Sequence, residues 1–250
     1  MGISIDRIIS KLDEYLYKND YASAERHLLY WLSEALNEQN ASAEMLVRNE
    51  LMGLYRKLGR KAEALENADT ALKRIDTLGI GHQVGAATTY LNSATVYKAF
   101  GMAEKGMPLF EKARDIYEKE LDGNDSRLGG LYNNMALSLV DMGRYEEANR
   151  LYRKAVLVME RLENGSLEVA ITYLNMASAL EAEYGLTDAE ERIQEYVEKA
   201  QGLLEECEQR DGYYAFVCEK CASVFDYYGY FLYAAELKER ARRIYENAGT

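Results

Sequence analysis

Tyr132-Asn133-Asn134-Met135-Ala136, then Gly143-Arg144-Tyr145-Glu146-Glu147-Ala148 and Leu151-Tyr152-Arg153-Lys154-Ala155, form the stretch whose reading decides the fold. Tyr132, Met135, Ala136 and Leu139 recur at helical spacing on one face, and Gly143 follows as a left-handed stop that glycine adopts without steric cost. A second helix begins beyond it, with Tyr145, Ala148, Leu151, Tyr152 and Ala155 on its inner face. Ala136, Ala148 and Ala155 stand where two backbones come closest, since larger side chains would push the axes beyond about 8–10 Å. The stretch predicts an antiparallel helix pair.

The chain copies this pair. Tyr90-Leu91-Asn92-Ser93-Ala94, Gly101 and Phe110-Glu111-Lys112-Ala113 repeat it 42 residues upstream, and Gly59-Arg60-Lys61-Ala62-Glu63-Ala64, with Ala71, lies another 42 before that. Downstream, Tyr173-Leu174-Asn175-Met176-Ala177 repeats the first helix after 41 residues, and Ala189 opens its partner. Weaker copies stand at the ends: Ala222, Gly229, Ala234 and Ala241 in the last, and Asn19-Asp20-Tyr21-Ala22-Ser23-Ala24 in the first. A fixed period of this size is the mark of a solenoid, in which each unit buries its apolar face against its neighbours. We therefore expect one array over residues 1–250, with repeats at about 3–38, 42–78, 82–121, 125–163, 166–208 and 212–247. The first pair is expected at Ile3–Lys18 and Asp20–Asn37, with Ile5, Ile8, Ile9, Leu12 and Leu16 packing on Leu28, Leu29 and Leu32. Asp125-Ser126 and Ser166 read as helix caps, and Pro108 should kink the helix that contains it.

Through Tyr-x-Asn-x-Ala, Gly-Arg-Tyr-Glu-Glu-Ala and Leu-Tyr-Arg-Lys-Ala, the chain resembles the tetratricopeptide repeats. The match is to their longer form of about 42 residues, similar to the repeats of kinesin light chain. The resemblance is strong over residues 42–200 and degraded toward both ends, as capping repeats would be. It implies an all-α, right-handed α-solenoid of about six antiparallel helix pairs, a tetratricopeptide-like superhelix. It also implies a scaffold or adaptor that holds an extended protein or peptide segment in a concave groove.

Composition bounds the partners. The 250 residues carry a formal net charge of −12, which argues against nucleic acid and anionic membrane, both of which call for a basic surface. No apolar run approaches the roughly 18 residues that span a bilayer, and Met1 to Asp6 lacks a secretory pattern, so a cytoplasmic protein is expected. Cys207, Cys218 and Cys221 are too few and too clustered for a disulfide scaffold. Cys218 and Cys221 have the spacing of a metal pair, but no second pair or nearby His completes four ligands, and both fall on core positions. There is no Ser/His/Asp set, phosphate loop or paired His, so neither an enzyme nor a cofactor or metal is expected.

The candidate binding residues come from an asymmetry. The helices Ala87–Phe100 and Leu128–Met142 carry one charge each, Lys98 and Asp141, yet hold Thr88, Thr89, Asn92, Ser93, Asn133, Asn134 and Ser138. Their partner helices are studded with charge. In a superhelix the first helices line the concave wall, which is then expected to be polar and uncharged. Asn92, Asn134 and Asn175 stand two residues before the contact alanines, although asparagine is a poor helix-interior residue. They read as a ladder of amides for a peptide main chain, or as amides that satisfy neighbouring helices. Asn49, Arg56, Lys57, Lys98 and Lys220 fall on the same expected wall. They could clamp a carboxylate, or be ordinary solvated charges among Glu50, Asp141, Glu181, Glu219 and Asp226. The aromatics Tyr213, Tyr214, Phe216, Phe225, Tyr227, Tyr228, Tyr230, Phe231 and Tyr233 exceed what a terminal repeat needs, which suggests self-association or a bulky cap. Two other functions compete with groove binding: a homo-oligomerisation module, and a peptide-sensing regulatory protein.

Overall fold

The computed structural model describes residues 3–247. Among these there are twelve α-helices and no strand: α1 (Ile5–Tyr17), α2 (Tyr21–Asn37), α3 (Ala41–Lys57), α4 (Lys61–Leu78), α5 (Val84–Ala99), α6 (Ala103–Glu120), α7 (Ser126–Asp141), α8 (Tyr145–Met159), α9 (Ser166–Tyr184), α10 (Leu186–Glu206), α11 (Gly212–Tyr227) and α12 (Phe231–Asn247). They form two compact units, Met1–Glu120 and Leu121–Thr250. In the first, α1 pairs with α2, α3 with α4 and α5 with α6, while α3 also packs beside α5. In the second, α7 pairs with α8, α9 with α10 and α11 with α12, and the first helices α7, α9 and α11 lie side by side.

The turns follow from the repeated glycine. Gly59, Gly101, Gly143 and Gly229 have φ of 68, 76, 71 and 87°. Around Gly143 the chain closes with Arg144 N–H donating to the Leu139 carbonyl at 2.8 Å and Gly143 N–H to that of Val140 at 2.9 Å. That double bond satisfies the last carbonyls of α7 and sends the chain back antiparallel. The degenerate first copy makes the same turn with Asn19 at φ 54°, and Asp20 N–H donates to the Tyr15 carbonyl at 2.9 Å. Asparagine serves because it is among the few side chains that enter the left-handed region readily.

The contact alanines are where the period puts them: Ala94, Ala113, Ala136, Ala148, Ala155, Ala177 and Ala189 are buried. Gly106 carries the argument further, since a Cβ there would sit 2.9 Å from the Ala94 carbonyl oxygen of α5. Buried Glu44 braces α3 on α4, accepting from Arg48 Nε at 3.0 Å and Arg74 Nε at 3.1 Å.

Three expectations are corrected in detail. Leu29 is exposed, because the buried stripe of α2 runs through Ala24, Leu28 and Ala35, and Leu29 is turned about 100° away from it. Ser166 is the first residue of α9 rather than its cap; Gly165 precedes it and no side chain caps the helix, whereas Asp125 does cap α7 by accepting from Arg127 N–H at 3.0 Å. Four of the polar residues expected on an open wall, Thr89, Ser93, Asn133 and Ser138, are buried between helices. Their hydroxyls and amide are small enough to be packed against a neighbour, as with Ser93, whose Oγ donates to Met52 Sδ at 3.7 Å. Pro108 lies inside α6, which runs on through it. No helix among the described residues is long and apolar enough to cross a membrane.

Candidate functional site

Each unit presents its amides on the first helices. In the first unit, Asn92 Nδ2 donates to Asn49 Oδ1 at 3.0 Å, Asn49 Nδ2 donates to Thr89 Oγ1 at 3.0 Å, and the Thr89 hydroxyl donates to the Gly85 carbonyl at 3.3 Å. This relay joins α3 to α5. Asn49 and Asn92 remain half-buried. Arg56 and Lys57 are exposed in the last turn of α3, and Lys98 is half-buried in the last turn of α5, where cations also suit the negative end of the helix dipole. Lys57 Nζ sits 5.0 Å from the centre of the Tyr21 ring of α2. Glu50, half-buried on α3, has its carboxyl pushed upward by burial and then by the charge of Asp13.

In the second unit, Asn175 Nδ2 donates to Asn133 Oδ1 at 3.0 Å, which joins α9 to α7. Asn134 is half-buried, and its Nδ2 donates back to the Gly130 carbonyl of its own helix at 2.8 Å. The bonds between repeats run from Asn92 to Asn49 in the first unit and from Asn175 to Asn133 in the second, across separations of 43 and 42 residues.

Sequence reasoning missed how α11 fastens to α9. The Tyr213 hydroxyl donates to Glu168; Tyr227 and Tyr228 donate to the two carboxylate oxygens of Glu181, at 2.5 and 2.9 Å. Their separations of 45 to 47 residues, one period plus a helical turn, were a usable signal. Part of the aromatic excess thus joins repeats. Tyr214 and Phe225 are buried in the core, while Tyr227, Phe231 and Leu232 remain open, Leu232 at 90 % exposure. Lys220 is exposed on α11.

Cys218 and Cys221 lie in the core shared by α9 to α12, and burial pushes their thiols up to about 11 and about 12. Among the described residues no group of three or more His, Cys, Asp or Glu side chains is placed to hold a metal ion.

Residues 127–207 match the family model of the tetratricopeptide repeat. Among solved structures, BtubC (BKLC) from P. vanneervenii is similar at 18% identity and a TM-score of 0.67, covering 82% of each chain. A kinesin light chain-like protein of nearly identical TPR-like repeats from Podospora anserina is similar at 18% identity and a TM-score of 0.55, over 84% of this chain and 98% of that one. NprR, solved in complex with its cognate peptide NprX, is similar at 16% identity and a TM-score of 0.63, over 96% of this chain and 68% of that one. No curated protein matches the chain in sequence.

Proposed function

We propose that this chain is a tetratricopeptide-repeat scaffold whose units each hold an extended protein or peptide segment against the amide-bearing faces of their first helices. In the first unit that face carries Asn49 and Asn92, with Arg56, Lys57 and Lys98 in the last turns of α3 and α5; in the second it carries Asn134 and Asn175, with Asn133 buried as the partner of Asn175.

The observation that carries this reading is the unused hydrogen-bonding capacity of half-buried Asn134. Its amide makes one bond among the described residues, to the Gly130 carbonyl, which already accepts within the helix. A carbonyl oxygen and a second N–H remain to meet a main chain that presents both a donor and an acceptor at each residue. Arg56, Lys57 and Lys98, in the last turns of the same two helices, suit a ligand that ends in a carboxylate. NprR, whose fold is similar, is described with a bound peptide, which favours the ligand class without indicating its sequence.

The test is a library of extended peptides screened against the wild type, followed by Asn134→Ala. Affinity should fall by about 1–2 kcal/mol, the worth of a desolvated hydrogen bond, while the melting temperature holds. An affinity left intact together with a sharply lowered melting temperature would put the amide to structural use and end the proposal.

A second reading, association of two copies, is favoured by Phe231 and Leu232, adjacent and exposed at 65 % and 90 % at the start of α12. Open apolar side chains on the terminal helix would be covered if a second copy packed there.

A further inference from the structure

A second surface lies in the Leu121–Thr250 unit, apart from the amides. A cavity of about 500 Å³ opens between the α8–α9 connection, the first turns of α9 and the later turns of α10. Another of about 490 Å³ adjoins it, sharing Glu163, Ser166 and Glu206 and running on past the α10–α11 connection. Each is the size of an ordinary ligand site. On α9, Tyr173 lines the first cavity, and Asn175 is turned about 200° from it, so this cleft and the Asn133–Asn175 pair use opposite faces of one helix.

The floor is apolar: Leu162, Val169, Tyr173 and Leu203. They adjoin the small apolar cluster of Val156, Met159 and Val169. The rim is acidic, with Glu160, Glu163 and Glu206 around the first cavity and Glu208 and Asp211 around the second. Glu160, Glu163 and Glu206 are exposed. The one cation on the lining, Lys199, is held by Glu195 at 2.5 Å, so the rim keeps its negative charge.

Gly202 leaves the α10 wall of this cleft open. It sits inside α10, where glycine weakens a helix relative to alanine. An added Cβ there would have no atom within 4 Å. The open space it faces is the cavity it lines.

We propose that this cleft docks a basic, partly apolar peptide segment: an arginine or lysine side chain meets Glu160, Glu163 and Glu206, and its aliphatic stem and an apolar neighbour lie on Val169, Tyr173 and Leu203. Long cationic side chains suit such a site because the stem covers apolar surface while the head stays at a charged rim. Glu160, Glu163 and Glu206, which have no ion pair among the described residues, supply the charge-assisted bonds. The proposal is independent of the amide faces and stands whether or not they bind a ligand.

The probe is a blocked, fluorescently labelled hexapeptide of alternating arginine and leucine, titrated against the whole chain and read by anisotropy. The wild type should bind it saturably. The double substitution Glu163→Gln with Glu206→Gln should weaken it by about tenfold or more, as the loss of charge-assisted bonds does. Gly202→Trp should block it by filling the cleft. Gly202→Ala, which leaves room, should bind as the wild type does and melt no lower. Asn134→Ala should leave this binding unchanged, which separates it from the amide faces. Spermine should compete poorly, because it brings charge without an apolar neighbour. Four results would each overturn the proposal: no saturable binding up to about 1 mM, the edge of measurable affinity; unchanged binding by Gly202→Trp; spermine competing as well as unlabelled peptide; or a loss with Asn134→Ala equal to that with the glutamine pair. Should Gly202→Trp fail to fold, the glutamine pair decides.

Discussion

Removing the Asn175 amide separates an asparagine that joins two repeats from one, Asn134, that bonds only within its own helix among the described residues. Asn133 is 7 % exposed, and its Oδ1 accepts from Asn175 Nδ2 at 3.0 Å. Asn175→Ala leaves that buried oxygen without its donor, a cost of about 1–3 kcal/mol. Alanine, the better helix former, returns about 0.5 kcal/mol. The net loss is then about 0.5–2.5 kcal/mol, which for a chain of 250 residues lowers the melting temperature by about 1–5 °C. Asn134→Ala, one helix away, leaves no buried group unpaired, because the Gly130 carbonyl keeps its helical bond. Its melting temperature should therefore equal or slightly exceed that of the wild type. Urea unfolding of Asn133→Ala, Asn175→Ala and the double variant completes a cycle, whose coupling should be about 1 kcal/mol. Equal destabilisation by Asn134→Ala and Asn175→Ala, or a coupling indistinguishable from zero, would refute the assignment of roles.

Two further outcomes are expected. Burial raises the thiols of Cys218 and Cys221 to about 11 and about 12, so at pH 8 the thiolate needed for reaction is scarce, and half-buried Cys207 should be labelled by a disulfide reagent well before either. Mass analysis of the labelled peptides checks the order, and Cys218 reacting as fast as Cys207 would contradict the burial argument. If copies associate through α12, Leu232→Lys should reduce the apparent mass measured by light scattering, with the helical signal unchanged; an unaltered dimer would move the interface elsewhere.

The period and the turn chemistry were legible without coordinates. Gly59, Gly101, Gly143 and Gly229 mark their reversals because a left-handed residue is needed there, and the contact alanines mark the close approaches because only small side chains fit. The candidate amides were legible as residues, since asparagine inside a helix stands out against its propensity. Their roles were not. Asn133 and Asn134 differ by one position, about 100° of rotation, and that rotation decides which of them meets Asn175 and which stays half-open.

By itself, the sequence determined what is local or repeated: helices that alternate with left-handed turns, a period of about 42 residues, and the small residues at each crossing. Tertiary structure alone decided what depends on how helices from different repeats are rotated against one another. The partner of Asn175, the fastening of Glu181 by Tyr227 and Tyr228, and the cleft in front of Gly202 all belong to this second kind. The physical reason is range. A helix pair is specified by contacts three or four residues apart and by one turn, whereas a bond or a cavity between repeats depends on distances across more than 40 residues, where a fraction of a helical turn changes which side chains meet.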